Sequence, residues 1–135
     1  LRWANGDELP LLVEGGLALG PAAALRLEAG SVMKFADVRD VLLVEGLVEA
    51  LGAPGAEVAF TGGADDSRGG DSNGNGPSTA AAGQWAGLRF LAGSQGELSH
   101  LFLGYGGSGA FDFFGHYNRA LIESDSSAVR LDHCS

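Results

Sequence analysis

The stretch Leu11-Leu12-Val13-Glu14-Gly15-Gly16-Leu17 recurs as Leu42-Leu43-Val44-Glu45-Gly46-Leu47, displaced by 31 residues with one glycine dropped. The echo runs on: Gly20-Pro21-Ala22 returns as Gly52-Ala53-Pro54, and the alternating Leu25-Arg26-Leu27 as Val58-Ala59-Phe60. A unit reused at a fixed displacement points to stacked supersecondary repeats, in which equivalent side chains lie above one another. Leu12 and Leu43 are therefore expected on neighbouring laps of one winding chain.

The apolar-x-apolar signature returns at Leu88-Arg89-Phe90, Leu101-Phe102-Leu103, Phe111-Asp112-Phe113 and Val129-Arg130-Leu131. Side chains alternate faces along a strand, so each triplet reads as a short strand with its outer two residues on one side. Glycine makes up 23 of 135 residues and bounds nearly every such segment, as small turns at the corners of coils require. Val44, Leu47, Val48 and Leu51 also fall at helical spacing. Gly46 inside that stretch, and its alignment with Leu17-Ala18-Leu19, favour strand. A sandwich of hairpins has no reason to reuse one sequence at a fixed step. The chain is accordingly read as all-β, a short β-solenoid of one domain over 1–135.

Four passages then resemble the right-handed parallel β-helix modules of secreted and cell-surface bacterial proteins. They are the run Ala24 to Phe35, Val58-Ala59-Phe60-Thr61, the run Asp65 to Gly76, and Gln84-Trp85-Ala86-Gly87-Leu88-Arg89-Phe90. The resemblance covers nearly the whole chain, with the last two passages its specific part. It implies a right-handed parallel β-helix, either a whole domain or a fragment of a longer solenoid. Apolar ladders inside that coil would include Leu25, Leu27, Val58, Phe60, Leu88 and Phe90. Trp85 is expected to pack where the chain returns to the coil, in preference to stacking on a sugar.

Residues 62–84 lack a strand pattern and form a long inserted loop rich in glycine and Asx residues. Within it Asp71-Ser72-Asn73-Gly74-Asn75-Gly76 places oxygen-bearing side chains at alternate positions, the opening pattern of a calcium loop. Asp65, Asp66, Asp71, Asn73 and Asn75 are the candidate calcium ligands. Asn75 stands where a third acid is usual, and Ala82 where a closing Glu is usual. The competing reading is an Asx and glycine loop whose side chains cap their own turns.

Other functions are bounded more simply. Eight Lys and Arg against 17 Asp and Glu give a formal charge of −9, which argues against a phosphate-tracking nucleic-acid surface. No apolar run approaches the roughly 20 residues that cross a bilayer, so membrane insertion is not expected. The lone Cys134 excludes an intramolecular disulfide framework and leaves pairing between chains open. Among the acids only Asp112, Asp125 and Asp132, with Arg119 and Arg130, could gather into a patch. His100, His116 and His133 are spaced so that laps of 16 or 17 residues would stack them as a zinc site, but the 31-residue repeat gives no support for laps so short. Gly104 to Gly109 lacks the lysine of a P-loop and reads as a turn. The expectation is a non-catalytic structural or binding module of adhesion type, extracellular or on a cell surface, stiffened by calcium. Its partners would be a glycan, a surface protein, or a second copy or neighbouring domain at the solenoid ends. The alternative is a carbohydrate-active β-helix, a polysaccharide lyase or hydrolase, or a carbohydrate-binding module.

Overall fold

A computed structural model describes residues 2–3 and 9–135, with side chains from residue 9 onward. Among the described residues there are thirteen strands and no helix. They are β1 (Arg2–Trp3), β2 (Leu11–Val13), β3 (Leu17–Leu19), β4 (Ala24–Glu28), β5 (Val32–Phe35), β6 (Val41–Val44) and β7 (Leu47–Leu51). Then follow β8 (Val58–Gly62), β9 (Gly87–Phe90), β10 (Gln95–Ser99), β11 (Leu101–Leu103), β12 (Ile122–Ser124) and β13 (Val129–Asp132).

Every third strand joins the same sheet, and every pairing is parallel. Sheet A has the order β1-β4-β7-β10-β13, sheet B β11-β8-β5-β2, and sheet C β12-β9-β6-β3. Each lap of the chain thus lays one strand on B, one on C and one on A. The fold is a three-sided parallel β-solenoid.

Leu11 sits beside Met33, Leu17 beside Leu42 and Ala24 beside Leu47, so the first lap takes 22 to 25 residues. The displacement of 31 is therefore not the lap length. The first copy of the repeat runs from β2 round a corner to β3, and the second from β6 round a different corner to β7. Leu12 and Leu43 lie on neighbouring laps but on different sheets: Leu12 pairs with Lys34, and Leu43 with Ala18 and Arg89. What the repeat encodes is a corner, a strand followed by Glu-Gly and another strand, and all corners of a three-sided coil pose the same steric problem. The apparent period is one lap plus one face.

Alternation sends one set of side chains inward. Leu25 stacks on Val48, Leu27 on Ala50 and then Leu98, and Met33 on Phe60. On sheet C Leu42 stacks on Leu88 and Val44 on Phe90. All six core candidates are buried, and each fully buried Leu or Phe contributes about 2 kcal/mol. Gly46 shows how close the laps come: a Cβ there would lie 2.1 Å from the Ala23 carbonyl oxygen and 2.5 Å from that of Gly20.

The strand reading of Val44 to Leu51 holds: the stretch divides into β6 and β7 round Glu45-Gly46, and its helical spacing is a coincidence of two strands meeting at a corner. One strand expectation fails. Phe111-Asp112-Phe113 is not a strand, and its polarity is inverted: Asp112 is 1% exposed while Phe111 is 61% exposed. The alternating pattern there reports a turn that folds around its own carboxylate.

Candidate functional site

The corner from sheet B to sheet C differs from the other two. Corners from C to A are short, at 20–23, 45–46, 91–94 and 125–128, and the described corners from A to B, at 29–31, 52–57 and 100, are also short. From B to C the connections are 14–16, 36–40, 63–86 and 104–121. Both long segments leave the solenoid at one edge, on consecutive laps. Insertions that collect on one side of a repeat array usually mark its binding face.

Asp40 builds the base of that edge. Its carboxylate is fully buried and accepts the Gly16 N–H at 2.8 Å and the Ala36 and Asp37 N–H groups at 2.9 Å. Its own carbonyl accepts the Ala86 N–H at 2.7 Å, so one residue ties the corners of three laps. Gly15 and Gly16 both take positive φ, 85° and 78°, which only glycine adopts without strain. Asp40 was not singled out in the sequence; an Asx residue between two apolar strands was its only signal.

The first part of segment 63–86 lies back across the outer face of sheet B. Lys34 points outward from β5, is fully buried beneath the segment, and donates to the Gly70 carbonyl at 2.6 Å. Burial pushes its pKa below the ordinary lysine value, and the Asp65, Asp66 and Asp71 carboxylates pull it partly back. Farther along, the Arg68 guanidinium lies 3.7 Å above the Phe102 ring, and Gly69 approaches Pro10. The segment therefore reaches from the fourth lap to the residues before β2.

The candidate calcium ligands sit as follows. Asp65 accepts hydroxyl hydrogens from Thr61 and Ser67, and Asp66 accepts the Ser78 N–H at 2.6 Å. Asp71 accepts the Gly74 N–H at 2.8 Å and the Gly76 N–H at 2.9 Å, one on each oxygen. Asn73 accepts the Asn75 N–H at 3.3 Å. Asp71 and Asn73 cap their own turns, while Asp66 reaches twelve residues on to Ser78. No group of three or more His, Cys, Asp or Glu arranged to hold a metal occurs among the described residues. Trp85 ends the segment by entering the core. It is fully buried, stacks on Phe35 with centroids 4.1 Å apart, and donates its indole N–H to the Gly104 carbonyl at 2.8 Å.

Segment 104–121 carries an aromatic knuckle. Asp112 accepts the Phe114 N–H at 2.8 Å, the His116 N–H at 3.1 Å and the Asn118 side-chain amide at 3.0 Å. This inner polar hub turns Phe111, Phe113, Phe114 and Tyr117 out to solvent. Phe111 and Tyr117 meet edge to face at 5.2 Å, and the Arg39 guanidinium lies 4.4 Å above Phe113. Phe114 sits against Gly16 of the first lap. Beneath the knuckle His116 Nε2 lies 2.7 Å from Glu123, whose other oxygen accepts the Arg119 N–H at 2.6 Å. The Arg119 amide first, and His116 after it, hold the Glu123 carboxyl below the usual range, against partial burial.

The remaining candidates are dispersed. Asp112 belongs to the B-to-C edge, Asp125 to a C-to-A corner, and Asp132 ends β13 beside His133 at 2.8 Å. His100 and His133 stack on consecutive laps with parallel rings 4.8 Å apart, while His116 lies in the knuckle. No family model, no curated protein and no solved structure matches the chain.

Proposed function

We propose that the chain is a non-catalytic binding module of right-handed parallel β-helix type, similar to those of secreted and cell-surface bacterial proteins. Its solenoid serves as a rigid scaffold and its B-to-C edge as the recognition face. One observation carries this reading: both long segments and the exposed rings Phe111, Phe113, Phe114 and Tyr117 collect at that one edge. Exposed aromatic rings on a rigid base are the usual anchors for a sugar ring or a protein partner. Right-handed winding accords with the strong preference of parallel crossovers for that hand. The partner is a glycan or a surface protein of an extracellular setting.

The test is a glycan array and cell-surface adhesion assay of the chain against its Phe111→Ser, Tyr117→Ser double variant. The expected result is retention by the unaltered chain and a loss of at least about tenfold in the variant, with circular dichroism unchanged. Equal binding by both proteins defeats the assignment of the edge.

The cation that orders residues 63–76 is, in this proposal, the chain's own Lys34 in place of calcium. The support is its placement under Gly70 within reach of three carboxylates. Millimolar calcium then leaves thermal stability unchanged. A melting temperature that climbs with calcium restores the metal as the ordering ion.

A further inference from the structure

Four rings make the outer surface of the knuckle: Phe111 is 61% exposed, Phe113 39%, Phe114 46% and Tyr117 45%. The Phe113 N–H donates to the Arg39 carbonyl at 3.2 Å and docks the knuckle on the corner at 36–40, where Val38, 48% exposed, widens the patch. An aromatic side chain offers about 150 to 250 Å² when fully bared, so the rings and Val38 together leave roughly 450 Å² of apolar surface in water. Patches of that size on a folded chain are often functional. A standard contact between proteins hides about 800 Å² on each partner, rather more than half of it apolar, which is about what this patch supplies. The polar side chains beneath it are spent on one another and on the backbone. Asp112 takes three donors, one of them the Asn118 amide, and the two Glu123 oxygens are engaged by His116 and by the Arg119 N–H. A sugar needs directed hydrogen bonds as well as a stacking ring, and this surface turns few polar groups outward. It suits the apolar surface of a protein better, with Tyr117 and Arg39 of the residue types that anchor such contacts.

Charge selects among protein partners. In 36–40 and 111–123 the surface charges are Arg39 and Arg119 against Asp37 and Glu123, with Asp40 and Asp112 buried, so this edge is balanced although the chain carries −9. Two copies repel one another as wholes and approach most easily where that excess charge is absent. A two-fold contact also requires a patch complementary to itself. The corner at 36–40 provides one. Arg39 lies 4.4 Å over the Phe113 ring and is in no ion pair among the described residues. Two residues before it, Asp37 gives one oxygen to the Arg39 N–H at 2.9 Å and keeps the other free. Resting on the reading of this edge as the recognition face, we propose that its partner is a second copy of this chain. The two copies meet about a two-fold axis, rings against rings, with Arg39 of each paired to Asp37 of the other.

The test is sedimentation equilibrium of the full chain from about 10 μM to about 1 mM, a range that reads dissociation constants in the micromolar region. The expected mass rises from one chain to two and stops there. Phe111→Ser, Tyr117→Ser weakens the dimer at least about tenfold, with circular dichroism unchanged. Arg39→Asp alone and Asp37→Arg alone each weaken it about tenfold by setting like charges together, and an equimolar mixture of these two variants recovers a dimer. Recovery in the mixture also shows that neither variant lost its association by misfolding. A chain that stays monomeric over the whole range overturns the proposal, while edge-dependent retention on glycans or cells would then leave the recognition face standing with another partner. Association undiminished in Phe111→Ser, Tyr117→Ser overturns it as well. So does a mass that grows beyond two copies, as end-to-end stacking of coils would give, or a mixture of the two folded charge variants that recovers nothing.

Discussion

Lys34 and Gly70 are joined by a 2.6 Å hydrogen bond that closes a span of 36 residues, from the outer face of β5 to the middle of the longest corner segment. On the proposed reading this amino group stands where a bound cation would, giving a glycine-rich, acidic segment one centre to fold around. Removing the amino group leaves the Gly70 oxygen without its donor and takes a positive charge from the neighbourhood of the Asp65, Asp66 and Asp71 carboxylates. Lys34→Met is expected to cost about 2 to 3 kcal/mol, measured by urea unfolding. The same lysine has a lowered pKa in the folded chain, so above that value the unfolded state binds the extra proton. Stability from this group therefore rises as pH climbs from the folded pKa toward the ordinary 10.5. The rise should be missing in Lys34→Met.

The knuckle should loosen in acid. Glu123 has a depressed pKa, so its contribution is present above the ordinary 4.5 and disappears as pH falls through the lower folded value. Amide exchange of residues 111–119, measured from about pH 3 to about pH 6 and corrected for intrinsic rates, should quicken toward the acid end relative to the sheet amides. Glu123→Gln should flatten that dependence.

Gly46→Ala tests the spacing of the laps. A methyl group would collide with the Ala23 and Gly20 carbonyl oxygens, which belong to the corner of the lap before and cannot turn aside as a side chain can. A loss of about 3 kcal/mol or more is expected by thermal unfolding. Gly55→Ala is the contrast in space, since nothing lies within 4 Å of its added carbon, although its φ of 77° carries its own smaller strain.

Trp85→Ala should be the most costly core truncation at the candidate edge. It removes the partner of Phe35 and leaves the Gly104 carbonyl without its indole donor. The expected cost is about 3 to 5 kcal/mol in denaturant. Protection should be lost first at residues 83–86 and 104–108, which the indole holds together.

Alternation at Leu25-Arg26-Leu27, Val58-Ala59-Phe60 and Leu88-Arg89-Phe90 was enough to determine short strands with one oily face, because the period of two is a property of the backbone. The repeated Leu-Leu-Val-Glu-Gly was enough to determine a winding chain of like corners. It could not determine the lap length, since the same corner serves between any two faces and only register tells B from C. Phe111-Asp112-Phe113 obeys the strand pattern yet turns inside out, because three donors meet the Asp112 carboxylate only once the segment has folded. The acidic loop carried the opening pattern of a cation site in its own residues. That Lys34, from a strand nearly forty residues earlier, donates to the Gly70 carbonyl of that loop was decided by tertiary structure alone, as were the tie of three laps at Asp40 and the gathering of the long corners on one edge. Local periodicity is written into neighbouring residues, whereas charge pairing and edge alignment depend on which laps come to lie side by side.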